Sequence, residues 1–320
     1  MTAKKLLLLI FLSVLVFIGL AGYGDFREVG HRIVTFPAPY LLAAVGLAAF
    51  NYLLRFLRWS FYLKVLKIEV PFRTSSLVFL SGLALSLTPG KVGELLKSYL
   101  LRSRTGTPVS VSAPVVAMER LTDVVAVVLV GLTGMALLPT SIQWILGGIL
   151  VLCGALTLLF ASRHSQRLFD LPVIRRWKSQ FQVSQEGMRL LTRPGPMLIA
   201  VALGTLAWLS EGIAFWVILQ GMGTEVRFFW SLPIYTAATI VGAISTLPGG
   251  LVGTEGTMLA LLQQAGVDRG AASAVTLLVR LVTLWFAVGI GLVALGWLVR
   301  SGRPGPVRPG VVKESLDSMS

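Results

Sequence analysis

Charge and broken backbone set inside apolar sequence mark the residues of this chain that can do chemistry. In residues 81–101, Pro89, Gly90 and Gly93 interrupt an apolar run that also carries Lys91, Glu94 and Lys97. Proline lacks an N–H and fixes φ, so Pro89 opens a new helix better than it continues an old one. The free N–H groups of such an opening, with Lys91 beside them, suit a phosphate. Lys91, Glu94 and Lys97 also stand a turn apart on one face, so a structural cluster that neutralises itself is the competing reading. Residues 241–262 repeat the plan with Pro248, Gly249, Gly250, Gly253 and Glu255, but with no lysine in the place of Lys91. Both segments are candidate substrate-binding elements, the first cationic and the second not.

Other charges lie within longer apolar runs. Glu119 and Asp123 are four residues apart, hence on one side of a helix. Two carboxylates so placed repel unless a proton, a metal or an arginine offsets them. Arg120 is the nearest candidate and Arg280, far along the chain, the second. A proton-coupling or gating ion network and a buried latch are both open readings. Glu211, in Trp208-Leu-Ser-Glu-Gly-Ile213, sits mid-run, where a carboxylate is either functional or a protonated or arginine-paired contact. Arg55 and Arg58 follow an apolar run and read as anchors that set orientation. There is no HExxH, no P-loop and no Cys/His cluster, so no metal site and no cofactor is expected.

Composition limits what can position these residues. The 320 residues are 55% hydrophobic and 13% charged, with a mean hydropathy of +0.81. Several runs exceed the ~18 apolar residues that point to a membrane span. The formal charge of +14 would suit nucleic acid, but the cations flank apolar runs, where they set orientation and meet anionic lipid. Nucleic acid is therefore not an expected partner. Cys153 is the only cysteine, which excludes an intramolecular disulfide.

In chain order, Lys4-Lys5 and the apolar residues 6–22 read as an uncleaved first span, and residues 25–32 as a short polar loop. A second span covers 39–57. Residues 71–101 then read as a hairpin that enters from the basic side and returns to it, since Lys64, Lys67, Arg102 and Arg104 flank its two ends. Spans follow at 114–138 and 142–161. Residues 163–193 are basic and carry Val173, Ile174, Trp177 and Phe181 at helical spacing, the pattern of an interfacial amphipathic helix on anionic lipid. A span at 196–219, a second hairpin at 228–265, a last span at 271–299 and a basic tail at 300–320 complete the chain.

The expected fold is thus an all-α integral membrane domain of about six spans plus two re-entrant broken hairpins. An odd number of spans separates the hairpins, so they approach from opposite faces, and the repeats, about 39–138 and about 195–299, are inverted. Glu119-Arg-Leu-Thr-Asp123 falls against Val279-Arg-Leu-Val-Thr283 in that alignment. The N-terminus, residues 163–193 and the tail are expected in the cytoplasm.

Thr88-Pro-Gly-Lys-Val-Gly-Glu94, Glu119-Arg-Leu-Thr-Asp123 and Leu247-Pro-Gly-Gly-Leu-Val-Gly-Thr-Glu255 resemble the flippase-like membrane domain family, which includes the transmembrane region of lysylphosphatidylglycerol synthases. The resemblance covers most of the chain. It implies a multi-pass protein of a bacterial inner membrane that moves an anionic or lipid-linked substrate between leaflets, with a membrane lipid as substrate. The chain has no large cytosolic aminoacyl-transferase segment, so the expectation is a transporter and not an enzyme. The alternatives are a polyprenyl-phosphate-dependent glycosyltransferase, to which Asp25-Phe-Arg-Glu28 in the first loop lends a weak match, and an accessory subunit of a lipid-modifying pathway. A homo-oligomer or a partner lipid-modifying enzyme is compatible with each.

Overall fold

The computed structural model describes residues 3–86, Thr88, 95–134, 140–161 and 178–301. Pro89, Gly90, Lys91, Gly93, Glu94, Val173, Ile174 and Trp177 lie outside the described residues. Those that are described form helices and no strand, as an apolar chain in lipid must if its backbone is to satisfy itself.

The helices are α1 (Ala3–Tyr23), α2 (Phe26–Val34), α3 (Ala38–Val65), α4 (Phe72–Leu83), α5 (Leu96–Thr105), α6 (Val109–Leu132), α7 (Thr140–Ala161), α8 (Lys178–Leu191), α9 (Pro194–Gly221), α10 (Phe228–Ile244), α11 (Gly253–Gln264) and α12 (Arg269–Arg300). Of these, α3, α9 and α12 are long and apolar enough by themselves to cross a bilayer. The sequence signals for the boundaries are local. Proline opens α3 and α9, where the missing N–H costs nothing. Asp25 caps α2 by accepting from the backbone N–H groups of Arg27 and Glu28, so the expected polar loop at 25–32 is a capped helix. Asp268 caps α12 by accepting from Ala271 N–H at 2.9 Å. Gly106, at φ 76°, ends α5 in the left-handed conformation that glycine adopts without a Cβ penalty.

Two differences from the sequence reading matter for the site. Helix α3 runs to Val65, eight residues past the expected end at Leu57, so Arg58 is inside a helix and not beside one. Helix α12 is interrupted by a π-helical turn, Leu281–Trp285, directly after Arg280. Such turns free backbone carbonyls, and Thr283 O accepts from the Tyr52 hydroxyl at 2.6 Å.

Helix α3 packs along α9, the two longest unbroken helices, and this pair forms the centre. Around it, α4 packs on the second half of α12 and α10 packs on α6, so each broken pair leans on the long helix that follows the other pair. The α4–α12 approach is close because Gly291 faces the Ala84 backbone, and a Cβ there would overlap it. Among the described residues the two larger apolar cores lie around Phe215, Leu232 and Met258 and around Trp59, Tyr62 and Met118, with a smaller one where Leu20 and Val29 meet Ala274 and Leu277.

The bundle has two unlike ends. At one, Arg73 lies over Trp297, Arg104 donates to the Leu298 carbonyl, and α8 meets α6 through Ser184 and Gly187. Lys64, Lys67, Arg73, Arg102, Arg104, Arg189, Arg193 and Arg300 belong to it, against Glu69 and Glu186. The free ends of both α4 and α5 are here. At the other end, Arg32 bridges Glu28 and Asp268, and Gly221 meets Phe36 and Tyr40. Acids and bases balance there, and the free ends of α10 and α11 lie on this side.

Candidate functional site: a buried ion network

Asp123 of α6 is the meeting point of three arginines. Arg55 and Arg58 of α3 reach its two oxygens at 2.7 and 2.6 Å, and Arg120, one turn back on α6, at 3.1 Å. Arg58 is fully buried and also donates to Thr122 Oγ1 at 3.2 Å. It has room because α9 carries Gly204 at that level, where a Cβ would come within 2.8 Å of the guanidinium. The expectation that Arg55 and Arg58 are orientation anchors is corrected: they are ion-paired inside the bundle. Arg280, the second candidate partner for Asp123, is engaged elsewhere.

Glu119, one turn from Asp123, has its own cation. Lys97 of α5 reaches it at 2.5 Å, with 4% of the lysine residue exposed. The ammonium also lies over the rings of Trp59 and Phe79, 5.1 and 5.4 Å from their centroids, and Gly82 of α4 leaves space for its stem. The two carboxylates on one face of α6 thus coexist because each is offset by separate cations.

The second broken pair holds the mirror of this contact. Glu255 of α11 meets Arg280 of α12 at 2.6 Å, and Arg280 also donates to Gly249 O at 2.6 Å. In the first pair the short helix supplies the cation and the following long helix the anion; in the second the signs are exchanged. The linker that bends the chain here is strained. Thr246, Gly249, Gly250 and Val252 all have positive φ, and Val252, a β-branched residue at φ 67°, closes a γ-turn in which Gly253 N–H donates to Leu251 O. Pro248, Gly249 and Gly250 form a single turn, closed by Gly250 N–H donating to Leu247 O at 2.9 Å, and Gly253 starts α11.

Glu211 of α9 lies between the two clusters. It accepts from the Tyr235 hydroxyl at 2.6 Å, while Tyr52 has Glu211 and Arg55 as charged neighbours and Tyr235 has Arg280. Lys97–Glu119, the arginines on Asp123, Tyr235–Glu211 and Arg280–Glu255 are thus direct contacts, and Tyr52 and Tyr235 lie within electrostatic reach of the charges on either side of Glu211. Of the sequence candidates, Lys97, Glu119, Arg120, Asp123, Glu211, Gly249, Glu255 and Arg280 are brought into this network; Pro89, Gly90, Lys91, Gly93 and Glu94 lie outside the described residues. Tyr52, Arg55, Arg58 and Tyr235 were missed as site residues. The spacing of Arg55, Arg58, Trp59 and Tyr62 at one and two turns was the available signal for the arginines. Tyr52 and Tyr235 stand in apolar runs with no adjacent charge that would single them out, and gave none.

The sequence matches the lysylphosphatidylglycerol synthase TM region family over residues 8–291, a stretch that contains every residue of the network. The chain belongs to this family. It is similar to a UPF0104 membrane protein of Methanothermobacter thermautotrophicus, with 26% identity over 80% of this chain and 84% of that protein. A UPF0104 membrane protein of Pyrococcus horikoshii is 27% identical, over 79% of this chain and 85% of its own. The protein is a multi-pass membrane protein, and Arg58, Lys97, Glu119, Asp123, Glu211, Glu255 and Arg280 of the network are buried among its helices.

Proposed function

We propose that this protein moves a lipid with an anionic or lipid-linked head group between the leaflets of an inner membrane, and leaves the lipid chemically unchanged. In this reading the basic end is cytoplasmic, with the N-terminus, α8 and the residues after Arg300 on that side, as cations at one end of a membrane protein dictate. The chain then crosses six times, through α1, α3, α6, α7, α9 and α12. The pairs α4–α5 and α10–α11 are re-entrant hairpins that open to opposite faces, within inverted repeats of about 39–138 and 195–299.

The observation that carries the proposal is the pair of sign-exchanged contacts, Lys97–Glu119 and Glu255–Arg280, each between a broken helix and the long helix behind it. A buried charge pair adds little stability over an apolar one. Four charges at the turning points of two oppositely opening hairpins are explained by a charged group that passes between them. Hairpins that lean on the long helix of the other repeat let one opening close the other. The acids of the first loop, which would favour a glycosyltransferase, are used locally: Asp25 caps α2 and Glu28 pairs with Arg32.

The test is reconstitution of the purified protein into vesicles with a trace of anionic phospholipid carrying a fluorescent head group, followed by addition of an impermeant reductant. Protein-free vesicles keep the dye of the inner leaflet. Active protein lets the reductant reach nearly all of it. Retention of the inner-leaflet signal for both anionic and zwitterionic probes would reject the proposal.

A further inference from the structure

A cleft of about 730 Å³ runs along α12 between α3 and α4. Its walls include Val45, Leu77, Leu80, Trp285, Gly289 and Trp297. The lining on α12 extends from Leu281 to Trp297, about 24 Å at 1.5 Å per residue, against the ~15 Å of one leaflet's hydrocarbon. The shape is long, narrow and apolar. Its mouth is not apolar. Trp297 lies at the basic end with the Arg73 guanidinium 5.0 Å above its ring; Arg104 donates to the neighbouring Leu298 carbonyl, and Arg300 follows on the same helix. At the corresponding seam of α6 and α10, Leu146 of α7 sits against the Gly131 position and joins the core there. Among the described residues, α1 reaches this cleft only at its Trp285 end, where the Phe17 ring meets Trp285 edge-on at 6.3 Å.

We infer that this cleft is a binding site for one anionic phospholipid, with an acyl chain along α12 and the phosphate at Arg73. Charge selects the occupant: an apolar slot with a cationic mouth matches a lipid that is apolar along its length and negative at its head. The site depends only on the protein's placement in a bilayer and stands whether or not the protein moves lipid. Its residues are separate from the ion network.

Photo-crosslinking tests it. The full-length protein is reconstituted with trace phosphatidylglycerol or phosphatidylcholine bearing a mid-chain diazirine, and labelled peptides are mapped by mass spectrometry. Label from phosphatidylglycerol is expected to concentrate on residues 281–297 and 77–80 and to exceed that from phosphatidylcholine about fivefold, the change that ~1 kcal/mol per basic residue gives. Arg73→Gln changes an exposed side chain and should bring phosphatidylglycerol down to the phosphatidylcholine level. Gly289→Phe fills the slot, since a Cβ at Gly289 meets nothing within 4 Å, and should remove label of both kinds there. Even labelling of all lipid-facing helices by both lipids, or labelling unchanged by either variant, would mean annular lipid only and overturn the site. A cleft that stays unlabelled in a protein that runs as a dimer would give it to a second copy and overturn the site equally.

Discussion

Arg58 has no exposed surface, and its guanidinium depends on Asp123 for an ion pair and on Thr122 for a hydrogen bond. Removing one side of a buried pair leaves a charge with no offset, at about 3–5 kcal/mol. Asp123→Asn is therefore expected to lower the melting midpoint in detergent by many degrees. Adding Arg58→Met to Asp123→Leu removes the fully buried cation as well, and should recover part of the loss of the Asp123→Leu single variant even though Arg55 and Arg120 still lose that carboxylate; a double variant no more stable than Asp123→Leu alone would contradict the pairing. The pairing was half legible in the sequence. Glu119 and Asp123 announce themselves by spacing, and Arg120 by proximity. Arg58 did not, because an arginine just past an apolar run looks the same whether the helix stops or continues. Lys97 was legible as a charge within a hairpin, but its partner Glu119 lies in another helix, and a pairing between helices leaves no mark in local spacing.

At the level of elements, glycine decides where helices touch. Gly291 holds α12 against the Ala84 backbone, so Gly291→Val should force α4 away at a cost of about 3 kcal/mol and reduce folded yield. Gly46 is the contrast: it is an exposed glycine in α3 whose Cβ would meet nothing, and Gly46→Ala should stabilise by roughly 0.5–1 kcal/mol. Thermal melts of the two variants compare these directly, and equal effects would mean that α4 and α12 do not pack as described. The apolar helices could be read from hydropathy and the starts of α3 and α9 from their prolines, whereas the polar α2 read as a loop. The π-helical turn after Arg280 could not. It arises where Arg280 is drawn to Glu255 and Gly249 while Tyr52 takes the freed Thr283 carbonyl, and none of those partners is near in sequence.

For the molecule as a whole, the two unlike ends fix how it should sit. In a Cys153→Ser background, single cysteines at Ser103 and Ser301 are expected to react with an impermeant maleimide from the cytoplasmic side only, and those at Gly223 and Asp268 from the other side only. Ser103 and Gly223 labelled from one side would undo the opposed hairpins. The charge asymmetry behind this was visible in the sequence. The leaning of each hairpin on the other repeat's long helix was not, because it is a property of packing between distant segments. What remains is whether the buried charges serve passage or only architecture. Lys97→Met together with Glu119→Leu separates the two, since replacing both buried partners by apolar groups of similar volume leaves no unpaired charge and costs the fold little. Translocation of the anionic probe by this double variant in reconstituted vesicles should fall at least about tenfold, a change of ~1.4 kcal/mol in the barrier, while its melting midpoint stays near wild type. Wild-type translocation by the neutral pair would show that Lys97 and Glu119 hold the bundle together and do not meet the lipid.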